Sequence, residues 1–313
     1  MALFDPYAGN SGQSIPESNP VLINVTDPIP FDADQFSLTG SWYNPATSGQ
    51  GLELAVYPDG VSDGQSFLFG GWFTFDPLGF GEERWFSLQG SLSASHESSY
   101  DLGVYRNNSG HFDAPPPIPS QAYGTATLTF HDCTHATLTY MLLDGLGTSG
   151  TIPYVRLTAP TGCSSAVPAQ APMPLPVDYD DALHSGAWYE PATAGQGLVV
   201  DIVPSQNTFF AGWYTFKPES EGSIGPAAQR WFTLQSNDYT PGDLMLEDVP
   251  IAVTSGGVFN TPSEVTREVV GTANIAFTSC STMTLDYNFT VGEFAGLSGS
   301  IDEINPAPPV GCE

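Results

Sequence analysis

The strongest constraint on the fold is that the chain repeats itself. Residues 28–58, PIPFDADQFSLTGSWYNPATSGQGLELAVYP, align without a gap with residues 174–204, PLPVDYDDALHSGAWYEPATAGQGLVVDIVP, at an offset of 146. Two further pairs continue the match: RWFSLQG at 84–90 with RWFTLQS at 230–236, and GTATLTFHDC at 124–133 with GTANIAFTSC at 271–280. A repeat of this length predicts two copies of one structural unit.

The repeat defines the domain organisation. We predict an N-terminal arm at 1–27, a first β domain at 28–158, a linker at 159–173 and a second β domain at 174–313. The linker is rich in Pro and Ala, and such a composition favours an extended spacer. We therefore expect the linker to hold the two domains apart.

Each copy is predicted to be all-β. Apolar residues recur with a period of two, as in Leu52, Leu54 and Val56, which indicates strands with one buried face. Turn signals such as Pro58-Asp59-Gly60 separate runs rich in Thr, Phe, Tyr and Val, giving roughly seven or eight strands per copy. Consecutive strands joined by short turns favour an antiparallel up-and-down barrel, which hides its edges. A two-sheet β-sandwich is the alternative.

The four cysteines lie at equivalent places in the two copies. Cys133 and Cys163 are separated by 30 residues, and Cys280 and Cys312 by 32. This symmetry favours one disulfide within each domain. Disulfides persist in oxidising compartments, so we expect a secreted, extracellular protein. The start of the chain has no basic segment followed by an apolar one, so we expect that an export signal is not part of it.

The charge balance restricts the partners. Lys and Arg together number 6 against 34 Asp and Glu, for a formal net charge of −28. Nucleic-acid binding depends on clustered basic side chains, so the sequence predicts no nucleic-acid partner. It also contains no apolar run of about 18 residues, so no membrane-spanning helix is expected.

The block Gly40-Ser41-Trp42-Tyr43-Asn44 resembles the first strand of avidin and streptavidin, which opens an eight-stranded barrel around biotin. The resemblance implies that Asn44 contacts the ligand. The whole repeat is also similar to a family of uncharacterised secreted proteobacterial proteins. Its motifs here are G-x-W-[WY]-x-P-x-x-x-G-x-G at 40–51, W-[FY]-T-[FY]-D at 72–76 and G-T-A-x-[LI]-x-F-x-x-C at 124–133. This family implies a secreted β fold and no particular reaction.

Aromatic, amide and arginine side chains recur at matched positions. Such residues fill cores or make ion pairs, and they can also line a pocket for a sugar or another flat ligand. The candidate ligand-binding residues are Trp42, Asn44, Trp72, Arg84 and Gln89 in the first copy and Trp188, Trp213, Arg230 and Gln235 in the second.

No resident cofactor or metal is predicted, and Ca²⁺ is only a weak candidate. It rests on a repeated D-x-D pair, Asp32 with Asp34 and Asp178 with Asp180, because carboxylates are the oxygen ligands that Ca²⁺ prefers. The alternative is a solvated turn at the entry to each domain.

The sequence predicts a non-enzymatic protein. It contains no G-x-S-x-G or H-E-x-x-H motif, and no histidine recurs between the copies. We expect a role in extracellular assembly, for instance as a filament subunit, or in surface recognition. The alternative is a carbohydrate or small-ligand binding module. A glycan-active enzyme that uses two carboxylates is the third hypothesis, ranked below these two.

The assembly hypothesis depends on the arm. Its segment Val21-Leu22-Ile23-Asn24-Val25-Thr26 has the β-branched and apolar residues that suit a strand added to the edge of a sheet. We expect this segment to dock on a neighbouring copy of the chain. Docking on the chain's own first domain is the competing outcome.

Overall fold

The computed structural model describes residues 31–79, 81–164, 179–219 and 225–312. These residues form two eight-stranded antiparallel sheets, the first a closed barrel. The prediction of two tandem all-β domains is confirmed, and the up-and-down barrel is the architecture rather than the sandwich. We call the two units barrel 1 and barrel 2.

Barrel 1 consists of strands paired in sequence order. It is closed because the first strand pairs with both the second and the eighth. The strands are β1 (Gly40–Tyr43), β2 (Gly51–Ser62), β3 (Gln65–Phe75), β4 (Glu83–Leu92), β5 (Ser99–Arg106), β6 (Gln121–Phe130), β7 (His135–Leu142) and β8 (Ser149–Arg156).

Barrel 2 repeats the same order with a looser closure. The backbones of Tyr189 and Ile304 exchange hydrogen bonds of 3.0 and 2.9 Å, which brings the sheet's two ends together. The strands are β9 (Gly186–Trp188), β10 (Gly197–Val203), β11 (Thr208–Phe216), β12 (Gln229–Ser236), β13 (Met245–Ser255), β14 (Thr266–Ser279), β15 (Thr282–Phe289) and β16 (Ser298–Ile304).

Helical structure in the described residues is short. One α-helical turn, α1 (Tyr179–Ala182), precedes barrel 2. Single 3-10 turns occur at Phe36–Leu38, Pro45–Thr47, Pro191–Thr193, Pro204–Gln206, Pro226–Ala228 and Gly292–Phe294. The turns at Pro45–Thr47 and Pro191–Thr193 occupy equivalent places in the two copies.

Each barrel is filled by the inward-facing side chains that the period of two predicted. In barrel 1 Leu52 lies opposite Trp72, and Trp72 lies opposite Phe86 on the next strand. Leu198, Trp213 and Phe232 repeat this arrangement in barrel 2. Aromatic and aliphatic packing of this kind is the main stabilising contribution to each barrel.

The expectation that the linker separates the domains is wrong. The outer faces of the two barrels pack directly on each other and form a third apolar cluster, which includes Phe73, Trp85, Tyr214 and Trp231. The indole of Trp85 donates to the carbonyl of Thr215 across the interface (2.9 Å), and the indole of Trp231 donates to that of Thr74 (3.1 Å). The two barrels are therefore one block with approximate twofold symmetry. The linker itself, apart from residues 159–164, lies outside the described residues.

The barrels also exchange loops. The β5–β6 loop carries Phe112 into the core of barrel 2, where its ring lies 5.4 Å from that of Trp213. The β13–β14 loop carries Phe259 to the core of barrel 1, where its ring lies 5.5 Å from that of Trp72. Each barrel therefore depends on an aromatic side chain from the other copy.

Two glutamines hold the exchanged loops. Gln196 Nε2 donates to the carbonyl of His111, and Gln50 Nε2 donates to that of Val258, each at 3.0 Å. The oxygen of each amide accepts a backbone N–H two residues further along the loop, from Asp113 (3.2 Å) or Asn260 (3.1 Å). The same buried side chain therefore performs the same task in both copies.

The disulfide prediction is confirmed. Cys133 is bonded to Cys163, and Cys280 to Cys312. Each bond lies within one repeat, so neither links the barrels. In the described part of the chain, no helix has the length and apolar character needed to cross a membrane.

Candidate functional site

The predicted tryptophans lie inside the barrels. Trp42, Trp72, Trp188 and Trp213 are at most 2% exposed. The indoles of Trp42 and Trp188 donate to the carbonyls four residues earlier, at 3.2 and 3.0 Å. These side chains fill the cores, so the barrel interiors are packed with protein atoms rather than open to a ligand. Trp42 also contributes to the wall of a cleft between the barrels.

Asn44 and its counterpart Glu190 cap equivalent turns. Asn44 Oδ1 accepts the backbone N–H of Ala46 (3.0 Å), and Glu190 Oε1 accepts that of Ala192 (2.9 Å). Either side chain supplies the oxygen that satisfies a free N–H at the start of a 3-10 turn. This shared task explains how the two copies carry different residues here.

The two predicted arginines are ion-paired. Arg84 Nη2 lies 2.6 Å from Asp76 Oδ2 and 2.8 Å from Glu82 Oε2. Arg230 Nε contacts Glu293 Oε1. The charge of each guanidinium group is therefore compensated by carboxylates of the protein itself.

The remaining predicted polar residues are dispersed. Gln89 on β4 and Gln235 on β12 are partly exposed, and Gln235 Nε2 donates to Asn237 Oδ1 (3.2 Å). Neither residue lines the two clefts described below.

The first predicted D-x-D pair is fully described, whereas only Asp180 of the second pair belongs to the described residues. Asp32 Oδ1 accepts the N–H of Asp34 (2.9 Å), its Oδ2 lies 2.8 Å from His96 Nδ1, and Asp34 Oδ1 accepts the N–H of Asp59 (3.0 Å). Asp180 is exposed on α1, while Asp178 lies outside the described residues. The first pair therefore ties turns together.

One group of potential metal ligands lies close together among the described residues. A ring nitrogen of His184 and the sulfurs of Cys280 and Cys312 lie within 4.8 Å of one another. Because the two sulfurs form a disulfide, they are not thiolates and do not offer the ligands that a zinc site requires.

The candidate site is a cleft between the barrels, which we call the aromatic cleft. Its cavity has a volume of about 420 Å³. Both barrels supply its walls, and the residues that define it are Tyr57, Phe69, Trp85, Asn107, Tyr189 and Tyr214. The ring centres of Trp85 and Tyr214 lie 5.3 Å apart, and those of Phe69 and Tyr214 lie 6.4 Å apart.

Strand geometry explains why aromatic rings meet here. Tyr57 and Phe69 point out of barrel 1 on neighbouring strands, and Tyr214 points out of barrel 2 on β11. Docking of the barrels brings these outer faces together. Gly195 has φ of +105°, and a Cβ there would lie 2.7 Å from Asn107 Nδ2, so this glycine permits the close approach of the exchanged loop.

The aromatic cleft presents neutral hydrogen-bonding groups. Burial raises the pKa of Tyr57 to about 12 and also raises the pKa of Tyr214. Both phenols therefore stay protonated at neutral pH. Asn107 is 1% exposed, and its Nδ2 donates to the carbonyl of Ile118 (2.9 Å). The site can thus stack a flat ligand and offer it a few uncharged polar contacts.

A second cleft lies at the equivalent place across the approximate twofold axis. Its volume is about 290 Å³, and Gln50, Phe73 and Trp231 line it. We call it the acidic cleft because Glu53 also lines it. In the aligned repeat, the position of Glu53 is occupied by Val199.

The sequence-based candidate list missed most of the cleft residues. Trp85, Trp231, Gln50 and Gln196 are repeated between the copies, so the repeat does mark them. Tyr214 belongs to the continuous apolar run of β11. Runs of this kind are typical of strands that are buried on both faces. The apolar run of β11 therefore indicated that its outer face is also buried, as it is between the two barrels.

Comparisons of this chain with protein-family models, curated proteins and solved structures gave no match. The candidate site is therefore defined by its geometry.

Proposed function

We propose that this chain is a small-ligand binding protein whose site is the aromatic cleft. The observation that carries the proposal is a cavity of about 420 Å³ walled by aromatic side chains from both repeats. Ligand sites in proteins are concave and largely apolar, with volumes of roughly 300–1,000 Å³ and few polar groups. The favoured ligand is flat and mainly apolar, with one or two uncharged hydrogen-bonding groups.

Preorganisation supports this proposal. The cleft walls come from two barrels that are joined by the apolar interface and by two exchanged loops. A site held open by rigid elements loses less free energy on binding than one that must be ordered. The proposal also gives the tandem repeat a function, because one copy alone would supply only half of the cleft.

The compartment is a second part of the proposal. Two disulfides are compatible with an extracellular protein, and a secreted binding protein would retain them in an oxidising environment. Within this proposal, the chain captures its ligand outside the cell and performs no reaction on it.

Assembly through the arm stays a prediction, because residues 21–26 lie outside the described residues. Its test is deletion of residues 1–27 followed by light scattering. Loss of a large assembly would support docking of the arm on a neighbouring copy, and an unchanged assembly would count against it.

Binding is tested with a flat apolar fluorophore, N-phenyl-1-naphthylamine. We expect saturable binding with enhanced fluorescence. Ala194 lines the aromatic cleft, so Ala194→Trp should fill it and weaken binding by at least about tenfold, equivalent to ~1.4 kcal/mol.

The repeat supplies a matched control. Ser48 occupies the position of Ala194 in the other copy and lines the acidic cleft, so Ser48→Trp should leave the affinity for the fluorophore unchanged. A panel of neutral oligosaccharides, tested as competitors, separates a sugar site from an apolar one. No saturable binding, or equal losses in both variants, would reject the aromatic cleft as the site.

A further inference from the structure

The acidic cleft has a feature that the aromatic cleft lacks: a buried carboxylate in an aromatic wall. Glu53 lies on β2 and is 5% exposed. Ser41 Oγ donates to its Oε2 at 2.8 Å. The side chains of Phe73, Phe210 and Trp231 line the same cavity.

Glu53 belongs to a buried charge cluster at the barrel interface. Arg156 Nη2 lies 3.6 Å from Asp201 Oδ1, and both side chains are 3% exposed. The other oxygen of Asp201 accepts the N–H of Ser41 (3.0 Å) and the hydroxyl of Thr158 (2.7 Å). Asp201 is therefore well neutralised.

Arg156 also donates hydrogen bonds to two backbone carbonyl groups. Its Nη1 donates to the carbonyl of Ser37 (3.1 Å) and its Nη2 to that of Thr39 (2.5 Å). One guanidinium thus faces two carboxylates, and it forms its ion pair with Asp201 rather than with Glu53. The cluster has one acidic group more than it has basic groups.

A buried carboxylate is costly unless a positive charge or a proton compensates it. Aromatic faces attract cations through their negative quadrupole, and they suit alkylated ammonium groups, which are weakly hydrated. The acidic cleft combines both features in a cavity of about 290 Å³.

We propose that the acidic cleft binds a small organic monocation, an alkylated ammonium group, with its positive charge beside the Glu53 carboxylate and its alkyl groups against Phe73, Phe210 and Trp231. The site is independent of the aromatic cleft. The two clefts thus differ in ligand class because one repeat carries Glu53 where the other carries Val199.

Protons compete with the cation. Burial, and next the charge of Asp201, raise the pKa of Glu53 well above its usual value, while Arg156 lowers it by less. At low pH the Glu53 carboxyl group is protonated and neutral. A bound cation favours the ionised form, so its affinity should increase as the pH rises and a proton is released on binding.

The test compares choline with its uncharged isostere 3,3-dimethylbutan-1-ol, using calorimetry on the full chain. We expect choline to bind at least about tenfold more tightly than the alcohol, with the preference increasing from pH 6 to pH 9. Glu53→Gln retains an acceptor for Ser41 and should remove the preference. Ser48→Trp should block choline, whereas Ala194→Trp should not.

Three results would overturn the proposal: no saturable choline binding, equal affinities for choline and the alcohol, or an unchanged preference in Glu53→Gln. Circular dichroism checks that each variant is folded. Should Glu53→Gln fail to fold, Phe210→Ala tests the same site, because Phe210 is only partly buried and its loss should weaken choline binding by several-fold.

Discussion

The two barrels share the residues that join them and differ in the charges placed at the joint. Gln50 and Gln196 hold the exchanged loops in the same way, and Trp85 and Trp231 make reciprocal hydrogen bonds across the interface. By contrast, Glu53 has Val199 as its counterpart. The glutamines and tryptophans that join the barrels are therefore the same in both copies, whereas the Glu53 position has diverged.

Glu83 and Gln229 are a second pair of equivalent positions at which the two barrels carry different residues. Gln229 Nε2 donates to the carbonyl of Trp85 in the other barrel (2.9 Å). The equivalent position in barrel 1 holds the carboxyl group of Glu83, and Arg230 Nε lies 3.6 Å from its Oε2. One copy therefore has an amide that hydrogen-bonds across the interface, while the other has a buried carboxyl group beside an arginine.

The largest expected effect comes from removing an exchanged aromatic ring. Phe112 is 8% exposed and packs among Trp213, Tyr287 and Phe294 of barrel 2. Phe112→Ala should lower the free energy of unfolding by about 3–5 kcal/mol, measured by urea denaturation. Hydrogen exchange should increase mainly in barrel 2, although the substituted residue belongs to the first repeat. Loss of protection confined to barrel 1 would contradict the exchange of loops.

Removing a disulfide should cost slightly less. The bonds close loops of 30 and 32 residues, so each is expected to contribute about 3–4 kcal/mol in the chain-entropy model. Cys133→Ala with Cys163→Ala, and Cys280→Ala with Cys312→Ala, should therefore shift the unfolding midpoint by similar amounts. A large asymmetry between the two double variants would show that the repeats do not use their disulfides equivalently.

The glutamines test the symmetry at a smaller energy. Gln50→Ala and Gln196→Ala each leave buried loop groups without their partner, which costs about 1–3 kcal/mol. We expect equal losses in thermal unfolding, with weakened packing of the opposite loop. If only one variant is destabilised, the approximate twofold symmetry does not extend to the energetics of the loops.

The smallest chemical change replaces one carboxyl oxygen of Glu83 by an amide nitrogen, and its effect is on the pH dependence of stability. Burial is the main cause that raises the pKa of Glu83 to about 8, from 4.5, although Arg230 opposes it. The folded state holds this proton more tightly, so the stabilisation is complete below about pH 4.5 and is lost as the pH rises through about 8.

Glu83→Gln copies Gln229 and should abolish that part of the pH dependence. As the pH rises from 5 to 8, the unfolding free energy of the original chain should fall relative to that of the variant, by up to ~1.4 kcal/mol per pH unit. Burial also raises the pKa values of Glu53 and Glu303, and both contributions cancel in this difference. A pH-independent difference would contradict the raised pKa of Glu83.

Much of the fold was predictable from local patterns. The repeat, the period of two and the cysteine positions predicted two all-β barrels with one internal disulfide each. Strand faces follow from neighbouring residues, and the disulfide pairing follows from the equivalence of the two copies. The candidate site was harder to predict from the sequence. Trp42 and Trp72 were candidates because they are repeated aromatics, but a repeated tryptophan on a strand can fill a core as well as line a cleft, and both side chains are buried.

The sequence by itself determined the strands, their inward faces, the duplication and the disulfide pairing. Only the tertiary structure decided that the outer faces of β3, β4, β11 and β12 are buried as well, that Phe112 and Phe259 cross between barrels, and that Glu53 lines a cleft. The physical reason is the separation of the interacting residues along the sequence. Alternation along a strand is set by adjacent residues, whereas the docking of the two barrels joins residues more than a hundred positions apart.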